Sequence, residues 1–165
     1  MSSIKIFFEK ISLSFTKNSA IAGFFFFLVL CSWYILRPVR NEMAVQNSDI
    51  LPYLLGLGAL VMLLLNPIYS WLASRQNLKS VLIGCYLFFI INLLLFIILW
   101  EFFDLSGAMW LSRIFYVWCN VYSFFVVSIF WVVIINLFRG DGATNVFGVI
   151  AAGGSIGAFL GSEIS

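Results

Sequence analysis

The chain has 165 residues, of which 63% are apolar, 19% aromatic and only 10% charged, with a net charge of +2. A soluble domain runs at roughly 45–50% apolar and about 25% charged residues, so this composition excludes a disordered tail and argues against a soluble enzyme. No basic stripe of the kind that binds nucleic acid is present. Histidine is absent, and Cys31, Cys85 and Cys119 lie far apart in apolar runs. Neither a metal site, a catalytic triad nor a cofactor is therefore predicted. The expected fold is all-α: a polytopic transmembrane helical bundle whose first partner is the lipid bilayer.

Residues 1–18 carry Lys5, Lys10 and Lys17 against Glu9, with Ile4, Ile6, Phe7, Phe8 and Ile11 between them. They read as a basic amphipathic segment on the cytoplasmic membrane surface. The bundle occupies residues 19–165, and a crossing needs about 20 apolar residues. On that measure the apolar runs predict five spans, at about 20–37, 50–73, 78–100, 108–138 and 143–165. The first run is read as a retained span, because bulky Leu30 precedes Cys31 and no small-x-small cleavage site follows. Asn66-Pro67 predicts a bend in the second span. Asn92 is the only strongly polar residue in the interior of the third, beyond Lys79 at its start, and the fourth is long enough that it must tilt or protrude. The fifth reaches Ser165 with no polar tail, from which a truncated chain is expected. Trp33, Tyr34, Tyr53, Tyr69, Trp71, Trp100 and Trp110 gather near span ends as an interfacial belt.

Orientation follows from the Lys and Arg of each side. Lys5, Lys10, Lys17, Arg75, Lys79 and Arg139 fall on one side, and Arg37, Arg40 and Arg113 on the other. The richer side is cytoplasmic, which predicts a multi-pass protein of the cytoplasmic (inner) membrane with its N-terminus in the cytoplasm.

Three constellations carry possible chemistry. Arg37 and Arg40, three apart at the outer end of the first span with Pro38 between them, share a helical face. The planar guanidinium fork suits phosphate or carboxylate; the competing role is a pair of snorkelling anchors. In the fourth span Arg113, Tyr116, Asn120 and Ser123 fall within an arc of roughly 80° at helical pitch, and Trp131 continues it. Such a stripe lines a water-filled path or serves interhelical hydrogen bonding, and the residues alone leave both open. In the fifth span Gly153, Gly157 and Gly161 repeat every four residues and predict a ridge for close helix packing. No Gly-Lys-Ser/Thr ending accompanies them, so a phosphate-binding P-loop is rejected.

Several of these stretches together resemble the nucleotide (ATP/ADP) translocase family, a major-facilitator-like group of transporters. Ile35-Leu36-Arg37-x-x-Arg40-Asn41 is similar to the family's Ile-Leu-Arg-x-x-Lys-Asp at the end of its first span. Phe115-Tyr116-Val117 followed by Ser128-Ile129-Phe130-Trp131 is similar to its fourth span, and the glycine-rich run to the opening of its fifth. Departures are visible: Arg40 stands where the family usually has lysine, and Asn120 lies near a usual glutamate. Ser74 replaces the aspartate of a facilitator-like Ser70–Lys79 segment, in which Arg75 and Lys79 keep their charge.

The resemblance implies membrane exchange of a nucleotide or other organic phosphate anion by alternating access, with no covalent step and no enzyme activity. It implies too that the chain is the N-terminal part of a two-halved transporter, with a missing C-terminal half as its partner. Arg37, Arg40, Arg113, Tyr116, Asn120 and Ser123 are then the expected substrate-binding residues. Arg37 is expected to depend on its guanidinium more than Arg40 does. The alternatives are a facilitator for a different small solute and a non-transporting assembly or regulatory subunit.

Overall fold

A computed structural model describes residues 17–74, 77–102, 105–138 and 143–165. The expected surface segment 1–18, except its last two residues, and the loop charges Arg75, Asp104, Arg139 and Asp141 lie outside the described residues. The fold is an all-α helical bundle: α1 (Lys17–Gln46), α2 (Leu51–Ala73), α3 (Leu78–Phe102), α4 (Leu105–Leu137) and α5 (Ala143–Ile164). All five are long and apolar enough to cross a membrane.

The helices end where backbone-breaking or polar residues collect. A turn at Asn47–Ile50 separates α1 from α2, and Pro52 sits in the first turn of α2, where its missing N–H costs nothing. Asn77 precedes α3, and its Oδ1 accepts a hydrogen bond from the Ser80 N–H at 3.4 Å. The prolines inside helices interrupt neither: α1 runs through Pro38 and α2 through Pro67. In lipid the surrounding helix is worth more than the one backbone bond that proline removes. The first helix therefore extends nine residues past Arg37, which the apolar run alone marked as the span's end.

The chain divides into two compact units, one made of the chain up to Ile35 together with Ile134–Ser165, the other of Leu36–Val133. In the first unit α5 lies against α1 through glycine. A methyl group added at Gly153 would meet the carbonyl of Gly23, and one at Gly157 the carbonyl of Phe27. At Gly161 it would lie 2.6 Å from the Cys31 oxygen. The three pairs advance together by four residues on each helix, so α1 and α5 run parallel. That is the geometry required of the first and last of five alternating crossings joined by short connections.

In the second unit α4 supplies most of the core. Leu111, Phe115, Tyr116, Cys119, Tyr122, Phe125, Val126, Ile129 and Phe130 are all buried, whereas α2 buries only Leu54 and Gly58 and α3 only Phe89. The outer faces of α2 and α3 expose Leu55, Leu60, Leu63, Leu64, Ile90, Ile91, Leu94 and Ile98. Water would not tolerate an apolar surface of that extent on a monomer; a bilayer solvates it. The chain is a multi-pass integral membrane protein.

Rings join α3 to α4. Phe89 meets Tyr122 at 5.4 Å and Trp118 at 5.9 Å, edge to face. Phe96 meets Phe115 at 5.1 Å and Trp118 at 5.3 Å. The Tyr86 hydroxyl donates to the Val126 carbonyl at 3.1 Å. Asn92 donates to Phe88 O on its own helix at 2.8 Å, which satisfies one of its amide donors within the span.

Candidate functional site

The polar residues of α1 and α4 form two clusters at different heights. Because α1 continues through Pro38, Arg40 is helical rather than part of a loop, and its half-buried side chain turns toward α4. Nη1 donates to Asn120 Oδ1 at 3.1 Å, and Nη2 donates to Asn41 Oδ1 at 3.0 Å. The guanidinium carbon lies 5.9 Å from the Tyr116 ring centroid, within cation–π range. On the α2 side Gly58 leaves room for the Asn120 amide: a Cβ there would stand 3.4 Å from Nδ2. Helices α1 and α4 thus meet at one guanidinium, with Gly58 of α2 beside the Asn120 amide. The guanidinium's positive charge, two carboxamides and a phenol ring are a combination suited to an anion with several oxygen acceptors.

The second cluster lies two helical turns earlier on α4. Asn47 is buried in the turn after α1, where its Nδ2 donates to Met43 O and to Ser112 Oγ, both at 2.9 Å. Its Oδ1 accepts from Arg113 Nε, again at 2.9 Å. The Arg113 guanidinium sits 4.9 Å from the Trp110 ring centroid. Every polar atom of the Asn47 carboxamide is used, so this side chain fastens the end of α1 to the start of α4.

The structure therefore distributes the expected site residues unevenly. Arg40, Tyr116 and Asn120 come together. Arg113 is held apart from them by Asn47 and Trp110. Ser123 turns its hydroxyl back to the Asn120 carbonyl of its own helix at 2.9 Å, the usual recourse of a serine inside a membrane helix. Arg37 is exposed. Gly153, Gly157 and Gly161 face the backbone of α1. Asn41 and Asn47 complete the two clusters; sequence reasoning named Asn41 only as the end of the Ile35–Asn41 match and did not single out Asn47. The one signal available for Asn47 was an amide residue directly after a helix end. Compared with protein-family models, with curated proteins and with solved structures, the chain matches none of them.

Proposed function

We propose that the protein carries a small organic phosphate anion of the nucleotide class across the membrane by exchange and alternating access. One observation carries the reading: the half-buried Arg40 guanidinium, held by Asn120 at 3.1 Å within apolar spans. A cation held half-buried among apolar helices is expensive, and such residues mark a solute path or binding site. Arg40 supplies the charge, Asn120 and Asn41 orient its planar fork, and Tyr116 offers a ring face beside it. The likeness of residues 35–41, 115–117 and 128–131 to nucleotide translocases supports the choice of phosphate over other anions. The proposed setting is the cytoplasmic membrane with the N-terminus inside. A single cysteine at exposed Asn77, in a chain with Cys31, Cys85 and Cys119 replaced by alanine, then reacts with impermeant reagents only from the cytoplasmic side.

The hydrogen bonds support a different ranking of the two arginines from the one the sequence likeness implies. Sequence likeness favours Arg37, whereas the two terminal nitrogens of Arg40 reach two different carboxamides. A lysine keeps the charge but loses the planar two-nitrogen fork. Vesicles containing the full-length protein are expected to exchange labelled ATP against internal ADP. Arg40→Lys lowers the rate at least tenfold, whereas Arg37→Lys lowers it less. Wild-type vesicles that exchange no nucleotide or organic phosphate above protein-free vesicles would refute the reading.

A further inference from the structure

An apolar cleft of about 770 Å³ lies between α2, α3 and α4. Leu57, Leu65 and Ile68 of α2, Phe88 of α3, and Val117 and Val121 of α4 line it. Among the described lining residues Arg113 is the only charged one, and it stands at the end of the cleft shared by Ile50, Tyr53 and Trp110. Leu72, Gly84 and Cys85 line the other end, next to the α2–α3 connection.

With α4 centred in a bilayer, the Arg113 end comes to headgroup height. With 33 residues, α4 is about 50 Å long against a hydrocarbon core of about 30 Å, so roughly 10 Å projects at each end. Arg113 is eight residues into the helix, about 12 Å from its start, and thus near the hydrocarbon boundary. Tyr53 and Trp110 beside it are 79% and 65% exposed, as interfacial aromatics are. The guanidinium is held in place by Asn47 on Nε and by the Trp110 ring. Its Nη1 and Nη2 make no hydrogen bond among the described residues. A fixed cation with an open two-nitrogen edge therefore stands where an apolar cleft reaches the membrane interface.

We propose that this cleft holds an acyl chain of an anionic phospholipid whose phosphate is bound by the Nη edge of Arg113. A phosphate diester offers two oxygens to that fork, and an acyl chain matches a cleft whose walls are hydrocarbon. A second copy of the chain fits less well. A twofold contact would set this concave face against itself and bring two Arg113 side chains toward each other. The site is separate from Arg40 and does not depend on what the protein transports.

Quenching of tryptophan fluorescence by phospholipids with brominated acyl chains tests this, since Trp110 and Trp118 both line the cleft. The full-length protein is placed in phosphatidylcholine vesicles carrying equal fractions of brominated phosphatidylglycerol or brominated phosphatidylcholine. One basic residue near a membrane surface is worth about five-fold in apparent affinity for anionic lipid, so the wild type is expected to prefer phosphatidylglycerol by about that factor. Arg113→Gln brings the preference close to one, while Lys79→Gln leaves it intact. Val117→Phe keeps Arg113 but fills the cleft and also lowers the preference. Equal quenching by the two lipids in the wild type overturns the proposal without recourse to any variant. Persistence of the preference in Arg113→Gln overturns it, as does a wild-type dimer that shields Trp110 and Trp118 from both lipids.

Discussion

The contact of α5 with α1 and the contact of α3 with α4 solve one problem by opposite means. Lipid is as apolar as leucine, so burial from water cannot drive one spanning helix onto another. Along α5 the solution is subtraction: Gly153, Gly157 and Gly161 carry no side chain, and backbone meets the carbonyls of Gly23, Phe27 and Cys31. Along α3 it is addition: Phe89 and Phe96 reach into the rings of Phe115, Trp118 and Tyr122. The first contact leaves no room for another atom. The second depends on every ring it has. Their sensitivities to substitution should accordingly have opposite sign.

The sharpest way to break the comparison is to add bulk at the ridge. Gly157→Leu would drive a side chain into the Phe27 carbonyl, backbone that no rotamer change can move aside. We expect a loss of about 3 kcal/mol, the upper end of what overpacking costs, seen as a collapse in the yield of folded protein from detergent. Near-normal yield and thermal stability would mean that α1 and α5 are not in contact. Removing a ring comes next. Phe89→Ala forfeits edge-to-face contacts with Trp118 and Tyr122, each worth about 0.5–1.5 kcal/mol. Because lipid can wet the vacated apolar surface, the transfer term that dominates in soluble cores is mostly missing. A loss of about 2 kcal/mol is expected, read as a lower unfolding temperature with folded yield retained. Phe89→Leu should recover little of it, since leucine restores volume but not ring geometry.

How much of this could be read beforehand depends on what each pattern encodes. Runs of apolar residues gave the five helices, because hydrocarbon thickness sets a length that sequence reports directly. The glycine spacing marked a face of α5 but not its partner, since a smooth ridge fits any close backbone. Helical periodicity placed Arg113, Tyr116, Asn120 and Ser123 in one arc, yet it measures angle and ignores height. Arg113 and Asn120 are seven residues apart, about 10 Å along the axis, enough to put them in separate clusters. Arg40 was legible as a charge but not as the residue that meets Asn120. That pairing required α1 to continue past Pro38, which apolarity does not report.

The polar clusters supply the intermediate case, where loss is felt through hydrogen bonds rather than volume. Asn47→Ala removes the links to Ser112, Arg113 and Met43 at once. Interhelical hydrogen bonds in membranes average about 0.6 kcal/mol and reach about 1.7, so the expected cost is roughly 1–2 kcal/mol, below that of Phe89→Ala. Thermal unfolding in detergent checks the size. Asn47→Asp should retain more of the stability than alanine does, because a carboxylate still accepts from Arg113 although it no longer donates to Ser112. Equal loss in both variants would mean that the Ser112 bond, not the Arg113 bond, fastens the turn to α4.

The smallest effect belongs to a glycine that the ridge does not use. Gly148 is on α5, yet it is exposed, and a Cβ built there meets nothing within 4 Å. Glycine in a helix interior is less favourable than alanine by about 0.8–1.0 kcal/mol. Gly148→Ala should therefore leave stability unchanged or raise it by up to about 1 kcal/mol. Gly157→Ala adds the same single carbon to the same helix and should lower stability, because there the carbon meets the Phe27 carbonyl. Side-by-side melting curves of the two variants separate position from composition. If both alanines stabilise, α5 is limited only by its helix propensity and the ridge has no partner. If both destabilise, α5 resists any added bulk, and the contrast between the ridge and the rest of the helix disappears.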